Sequence, residues 1–232
     1  MKLIFIIIAV AYLLLFLVRW LLSLIYYKKG KSDVTDFPEE LFTVVQPILS
    51  GDPRLESDLR ANLQQTKTVE FYWLIDQSDT EAQRVANKIC QDELFSQRIR
   101  IFLIEDVPQG INPKSYKIEQ VVEDLTRPYL IVLDDDSVID FSKMGEPTAY
   151  LGQEVILTGI PYNQERSNFW SKLVASFVNG NSLITYFTMA QVEANHSING
   201  MFYILPVNLV KTKISLQLSK IIFVMIWQWL IF

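Results

Sequence analysis

Three consecutive carboxylates, Asp134, Asp135 and Asp136, directly follow the apolar run Tyr129-Leu130-Ile131-Val132-Leu133. Side chains on a strand alternate in direction, so a strand carried into this triplet would point Asp134 and Asp136 the same way. Two such carboxylates can share a hard divalent ion. Mg²⁺ or Mn²⁺ prefers oxygen ligands and is commonly held by one or two carboxylates plus substrate phosphates. An acidic turn that merely ends a strand is the plainer reading of the same residues.

The elements around the triplet decide between these readings. Phe42–Ile48 reads as a buried strand, and Asp52-Pro53 supplies an N-cap and first-turn proline for a helix reaching Gln65. A second strand is expected over 69–75. Ser78-Asp79-Thr80-Glu81 fits a capping box, opening a helix with Ala82, Val85, Ala86 and Ile89 on one face. Ile99–Ile104 is a third strand, 114–125 a third helix and Tyr129–Leu133 a fourth strand. Such alternation predicts an α/β fold, a mostly parallel sheet with helices on both faces. Ligands of these sheets bind at the carboxyl ends of the strands. Here those ends carry Gln46-Pro47, Asp76-Gln77-Ser78-Asp79 and the acidic triplet.

The 232-residue chain has a net charge of −5 and is half hydrophobic. Residues 3–18 carry no polar group but the Tyr12 hydroxyl, and the apolar pattern resumes after Arg19 as far as Tyr27. That length covers a hydrocarbon core of roughly 30 Å. A cleaved signal peptide would have a shorter core and a small-residue cleavage site. The sequence therefore predicts a membrane anchor over 1–27, with Arg19 snorkelling toward an interface marked by Trp20, Tyr26 and Tyr27. Lys28, Lys29 and Lys31 follow, which places the rest of the chain in the cytoplasm by the positive-inside rule. Cys90, the single cysteine, allows no disulfide within the chain and suits an apolar helix position. Without a basic cluster beyond the juxtamembrane one, nucleic acid is not expected as a partner. The expected organisation is anchor (1–27), juxtamembrane linker (28–41), α/β domain (42–210) and hydrophobic tail (211–232).

The spacing of these strand ends resembles the family 2 type of GT-A glycosyltransferase. That family's first strand ends near a proline, its second in a uracil-reading Asp and its fourth in a metal-binding Asp-x-Asp. Gly110-Ile111-Asn112-Pro113-Lys114 looks like the Gly-x-Asn-Pro-Lys segment of ceramide glucosyltransferases and their bacterial relatives. Asn168-Phe169-Trp170 and Asn199-Gly200-Met201 are similar to that family's Asn-Phe and Thr-Gly-Met segments. The resemblance covers residues 42–210. It implies a membrane-bound enzyme with a GT-A (Rossmann-like) fold that moves a hexose from a UDP-sugar to a lipid acceptor. It implies donor contacts at Pro47, Asp76, Asp79, Lys114, Asp134 and Asp135, with Mg²⁺ or Mn²⁺ on Asp134 and Asp136. Asp76 and Asp79 both fall in the nucleotide-side acidic segment. Asp-Asp-Asp-Ser stands where the animal enzymes have Asp-Ser-Gly, so ceramide is one acceptor among several lipids.

The other candidates have ordinary alternatives. Lys114 suits a phosphate contact or a solvated first-turn lysine. Asp76 suits a uracil acceptor or turn chemistry. His196 lacks a Ser, Cys or metal-ligand cluster beside it and reads as structural or exposed. Phe169, Trp170, Phe177 and Tyr186 read as core or lipid-facing residues rather than a sugar-stacking platform.

Inverting transfer needs a general base at the acceptor hydroxyl. The resemblance places this base in an acidic pair after Thr-Gly-Met, yet no Asp or Glu follows Met201. Read from the third base of each codon, Met225-Ile226 must encode Asp and Trp227-Gln228 Ala, so the shifted frame can read Asp-Asp-Leu-Ala-Met-Ala. The expectation is that a one-base shift between the codons of Val210 and Ile221 truncated a longer transferase, so that this chain binds donor weakly at best and transfers no sugar. An inactive nucleotide-sugar-binding remnant is the second reading. A metal-dependent nucleotidyltransferase is the third, weakened by the lack of a Gly-rich phosphate loop.

Overall fold

The computed structural model describes residues 1–29, 37–105, 107–144, 150, 152–153, 155–164, 168–192, 194, 198, 200–213 and 222–231. Helix α1 (Lys2–Lys29) is the long apolar element, and by length and composition it can cross a membrane. Strand β1 (Phe42–Ile48) is followed by α2 (Leu55–Gln64), β2 (Glu70–Asp76), α3 (Thr80–Cys90), the short α4 (Glu93–Ser96) and β3 (Ile99–Ile104). Then come α5 (Pro113–Val121), β4 (Tyr129–Leu133), β5 (Val138–Ile139), β6 (Val155–Tyr162), α6 (Phe169–Gln191), β7 (Phe202–Pro206), α7 (Val207–Lys213) and β8 (Ile222–Ile231).

The strands form one sheet in the order β3-β2-β1-β4-β7-β6-β8-β5. Strands β1 to β4 are mutually parallel, with Val44 opposite Phe71 on one side and Ile131 on the other. Strand β7 runs against both β4 and β6, β8 runs with β6, and β5 runs against β8. The sheet is thus mostly parallel, as the alternation of elements required. The end of the expected tail contributes β8, and α7 runs across position 210, where the domain was expected to stop.

Period-two burial divides the core in two. Phe42, Val44, Phe71, Trp73, Ile75, Ile131 and Leu133 face α2 and α3, which bring Leu59, Leu63, Val85 and Ile89. Val45, Tyr72, Leu74, Leu130 and Val132 face the other way, against Ile118 and Val121 of α5. Most of these side chains lose all contact with water. Each contributes roughly 1.5–3 kcal/mol on burial. Pro47 has no N–H to donate, and it sits beyond the β4 ladder, which covers β1 only from Phe42 to Val45.

Two helix starts differ from the sequence reading. Helix α2 begins at Leu55, because Asp52 turns its carboxylate onto the Arg54 N–H (2.8 Å) and its carbonyl onto the Leu55 N–H, closing a turn ahead of the helix. At α3 the cap is Asp79, one residue after Ser78. Its carboxylate accepts from the Ala82 N–H at 2.9 Å, while Glu81 pairs with Arg84.

Candidate functional site

The carboxyl ends of β1, β2 and β4 are adjacent in the sheet, so the polar clusters read from the sequence meet at one edge. The loop after β1 ties them together. Leu49 donates its N–H to Asp135 Oδ2 and Ser50 donates its N–H to Asp79 Oδ2, both at 2.7 Å. Beneath the loop, the buried Gln46 amide accepts from the Trp73 indole N–H at 3.1 Å.

The acidic triplet does not continue the strand. Strand β4 ends at Leu133, and a turn closes with Ser137 N–H donating to the Asp134 carbonyl at 3.2 Å. Period-two alternation therefore stops one residue before the triplet. Each carboxylate is oriented by its own partner. Asp134 accepts from the Lys114 ammonium, which also donates to the Gly200 carbonyl. Asp135 is held by Leu49, and Asp136 accepts from the Ser137 hydroxyl at 3.3 Å. Burial pushes the Asp135 carboxyl up to about 6, against the Leu49 hydrogen bond, and the charges of Asp136 and Asp134 push it the same way. On α2, burial raises the Asp58 carboxyl despite Arg54 nearby, and Asp136 adds to the rise.

This donor chemistry fits a hard divalent cation: only carboxylates, crowded enough that like charge is felt. Among the described residues no group of three or more His, Cys, Asp or Glu is gathered as a ready-made cage. Mg²⁺ and Mn²⁺ commonly take one or two protein carboxylates and complete their shell with water and phosphate.

Two lysines from one helix bring positive charge to this edge. Gly110 adopts φ +86°, a left-handed conformation that costs glycine little, and the chain then enters α5. Asn112 caps that helix by accepting from Ser115 N–H at 3.1 Å, and Pro113 occupies its first turn. The segment thus delivers Lys114 to Asp134 and, one turn later, Lys117 to Asp76 at 2.9 Å. Tyr203, on β7, lies with its ring 5.8 Å from the Lys114 ammonium, and burial and then Asp134 push its hydroxyl up to about 12.

Asp76 and Asp79 are separated by their surroundings. For Asp79, burial is outweighed by hydrogen bonds from Ala82 and Ser50, so its carboxyl is held below the ordinary value and both oxygens are engaged. Asp76 gives one oxygen to Lys117, and its Oδ1 is buried without a hydrogen-bond partner. A buried carboxylate oxygen without a hydrogen-bond partner is costly, and among the described residues Asp58 Oδ2 and Glu70 Oε2 share this state.

Sequence reasoning overlooked Lys117 and Asn62. Lys117 is almost wholly buried, and its signal was a lysine beside Ile118 on the apolar side of α5. Asn62 is fully buried and clamps the segment after the triplet, donating to the Ser137 carbonyl and accepting from the Ile139 N–H, both at 2.9 Å. Its signal was an amide among Leu55, Leu59 and Leu63 on one helix face. His196, Asn199 and Lys31 lie outside the described residues.

No protein-family model matches the chain, and no curated protein matches it. Among solved structures, the chain is similar to the mannosyltransferase PcManGT from Pyrobaculum calidifontis, determined with GDP-Man and Mn²⁺. The TM-score is 0.52 at 12% identity, over 84% of this chain and 55% of that one. Glucosyl-3-phosphoglycerate synthase from Mycobacterium tuberculosis, determined with Mn²⁺, UDP and phosphoglyceric acid, gives 0.48 at 12% identity over 85% and 74%. HddC from Yersinia pseudotuberculosis gives 0.48 at 12% identity over 82% and 92%. The chain spans about half the length of the mannosyltransferase it matches. That likeness, with the sheet order and the helices on both faces, identifies a GT-A-type glycosyltransferase fold carried behind one long apolar helix.

Proposed function

We propose that this chain carries the donor side of a membrane-anchored, inverting glycosyltransferase of the ceramide-glucosyltransferase-like kind, whose substrates are a UDP-sugar and a lipid acceptor. The observation that carries the reading is the convergence of Asp76, Lys114, Lys117 and the Asp134–Asp136 triplet at the carboxyl edge of a GT-A-type sheet. The orphaned Asp76 Oδ1 would accept the uracil N3–H, with Lys117 holding the other carboxylate oxygen in place. Pro47, Asp79 and Asp135 shape the loop over the nucleotide. Bound by Asp134 and Asp136, Mg²⁺ or Mn²⁺ would neutralise the leaving diphosphate as a Lewis acid. Lys114 would exchange its bond to Asp134 for one to the diphosphate.

Helix α1 would span the bilayer, with Lys28 and Lys29 on the cytoplasmic side. A protease added outside intact cells should leave the domain attached to its anchor; its release would overturn this topology.

The donor site is tested by titrating UDP-glucose and other UDP-sugars with and without Mn²⁺ into wild type and Asp136→Asn. The substitution removes a ligand charge and little volume, so the fold should stand while Mn²⁺-dependent affinity falls about tenfold or more, 1.4 kcal/mol per decade. Unchanged affinity would sink the metal assignment. Sugar transfer to a lipid extract supports the transferase. Donor binding without transfer assigns the chain to nucleotide-sugar binding, and diphosphate release from a nucleoside triphosphate and a sugar phosphate assigns it to nucleotidyl transfer.

A further inference from the structure

Helix α6 is fastened to the rest of the chain in two different ways along its length. In its first half, Ala175 and Asn179 are buried, and Asn179 binds both the N–H and the carbonyl of Asn163 just past β6, at 2.7 and 3.0 Å. On the opposite side, Phe169, Trp170, Leu173, Val174 and Phe177 fall within an arc of about 140° at 3.6 residues per turn. All five are more than half exposed, Phe177 by 74%. Phe169 and Trp170 stack edge to face at 5.3 Å, forming a stiff aromatic corner at the start of the helix.

In its second half, α6 is covered by α1. Arg19 donates to the Thr185 hydroxyl at 2.8 Å, the Thr188 hydroxyl donates to the Arg19 carbonyl at 2.9 Å, and Tyr26 packs on Phe187 with ring centroids 5.4 Å apart. Thr185, Phe187 and Thr188 lie on the same side of α6 as the five exposed residues. One continuous face therefore runs the length of the helix, covered by α1 over its second half and uncovered over its first. These contacts also shield α1's polar groups, so Arg19, expected to snorkel, is instead tied to α6.

We infer that the Phe169–Phe177 face of α6 is a membrane-contacting surface, seated in the headgroup and upper acyl region of the bilayer that α1 crosses. The inference rests on the reading of α1 as a membrane span. Its separate support is continuity: among the described residues, α1 is seated on this face, and its own outward side chains, from Leu3 to Leu17, are exposed and apolar. A stripe continuous with that helix faces the same medium. Aromatic and aliphatic residues on one side of a helix, with Ser171, Lys172 and Ser176 flanking them, are the composition that lies in an interface. The surface would hold the carboxyl edge of the sheet at a set height above the lipid.

The test uses the full chain with Cys90→Ser, reconstituted in phosphatidylcholine vesicles. Single cysteines replace Leu173, Phe177 or, as a control on the flank, Lys172, and each is labelled with an environment-sensitive fluorophore. The labels at 173 and 177 should be quenched by lipids bearing a shallow nitroxide, and iodide should reach them roughly threefold less than the label at 172. Equal iodide access at all three sites, in a chain that resists carbonate extraction, overturns the inference while leaving the anchor intact. Cross-linking between copies through the cysteine at 173, without nitroxide quenching, overturns it in favour of a second copy as occupant. Extraction by carbonate overturns the α1 reading and this inference with it.

Discussion

The two halves of the sheet are built to different standards of closure. From β3 to β4 the strands are parallel, helices cover both faces, and Trp73, Tyr72, Phe71 and Leu130 lose all contact with water. From β7 outward the pairing is mixed, and the long helix beside it turns a row of aromatic and aliphatic side chains outward. The first half buries enough apolar surface to hold charged groups in fixed places, whereas the second relies on α1 and on whatever medium surrounds α1. Rigid presentation of charge belongs to one half, and under the proposed function attachment belongs to the other.

The largest test of this contrast is Trp73→Ala. It opens a cavity in the closed half and strips Gln46 of its indole donor, so it should destabilise the chain by roughly 3–5 kcal/mol in urea unfolding followed by near-ultraviolet circular dichroism in detergent. A loss under 1 kcal/mol would show that the closed half is loosely packed. Asn62→Ala should cost about 2 kcal/mol, because it leaves the Ser137 carbonyl and the Ile139 N–H buried without partners. It should also weaken UDP-sugar binding by loosening the segment after the triplet. Preserved binding together with the stability loss would confine Asn62 to the fold.

Lys114→Met keeps the stem and removes the charge. Isothermal titration should show UDP-sugar affinity falling about tenfold, or 1.4 kcal/mol, with stability little changed. If affinity holds, Lys114 serves only as a partner for Asp134.

Glu39 offers a pH test outside the site. Burial would raise its carboxyl, but hydrogen bonds from the N–H groups of Lys67 and Thr68 and from the Thr68 hydroxyl outweigh it and hold the group below its ordinary 4.5. The folded chain therefore binds fewer protons there than the unfolded chain. The stabilisation is complete above the unfolded value and is lost as pH falls through the lower folded value. Glu39→Gln should flatten the acid limb of stability against pH, and an unchanged limb would discard the assignment. The smallest effect belongs to the open half. Phe177→Ser in detergent should shift stability by no more than about 0.5 kcal/mol, since the side chain touches little of the protein, and a larger loss would mean that the stripe is packed.

Strands β1, β3 and β4 were legible to the residue because they are short apolar runs bounded by turn chemistry, and for β1 and β4 burial on both faces leaves no other way to satisfy them. Helix α3 was legible from its one apolar face, although its cap is Asp79 rather than Ser78. The alternation of strands and helices also foretold the edge at which the polar groups collect. Less visible were side chains whose role depends on an element far along the chain. Lys117 finds Asp76 across 41 positions and Asn62 finds Ser137 across 75, and a lysine or an amide on a helix carries no local mark of either partner.

The sequence by itself determined the apolar N-terminal helix, the order of the first strands and the placing of carboxylates after β2 and β4, because each follows from local periodicity and turn chemistry. The tertiary structure alone decided how those carboxylates are used. Strand β4 stops before the triplet, so direction passes from the period-two rule to separate partners: Lys114 for Asp134, Leu49 for Asp135 and Ser137 for Asp136. It likewise gave Asp79 to a helix cap and left Asp76 with a free oxygen. Backbone propensity is settled within a few residues, but the environment of a charge is set by everything packed around it.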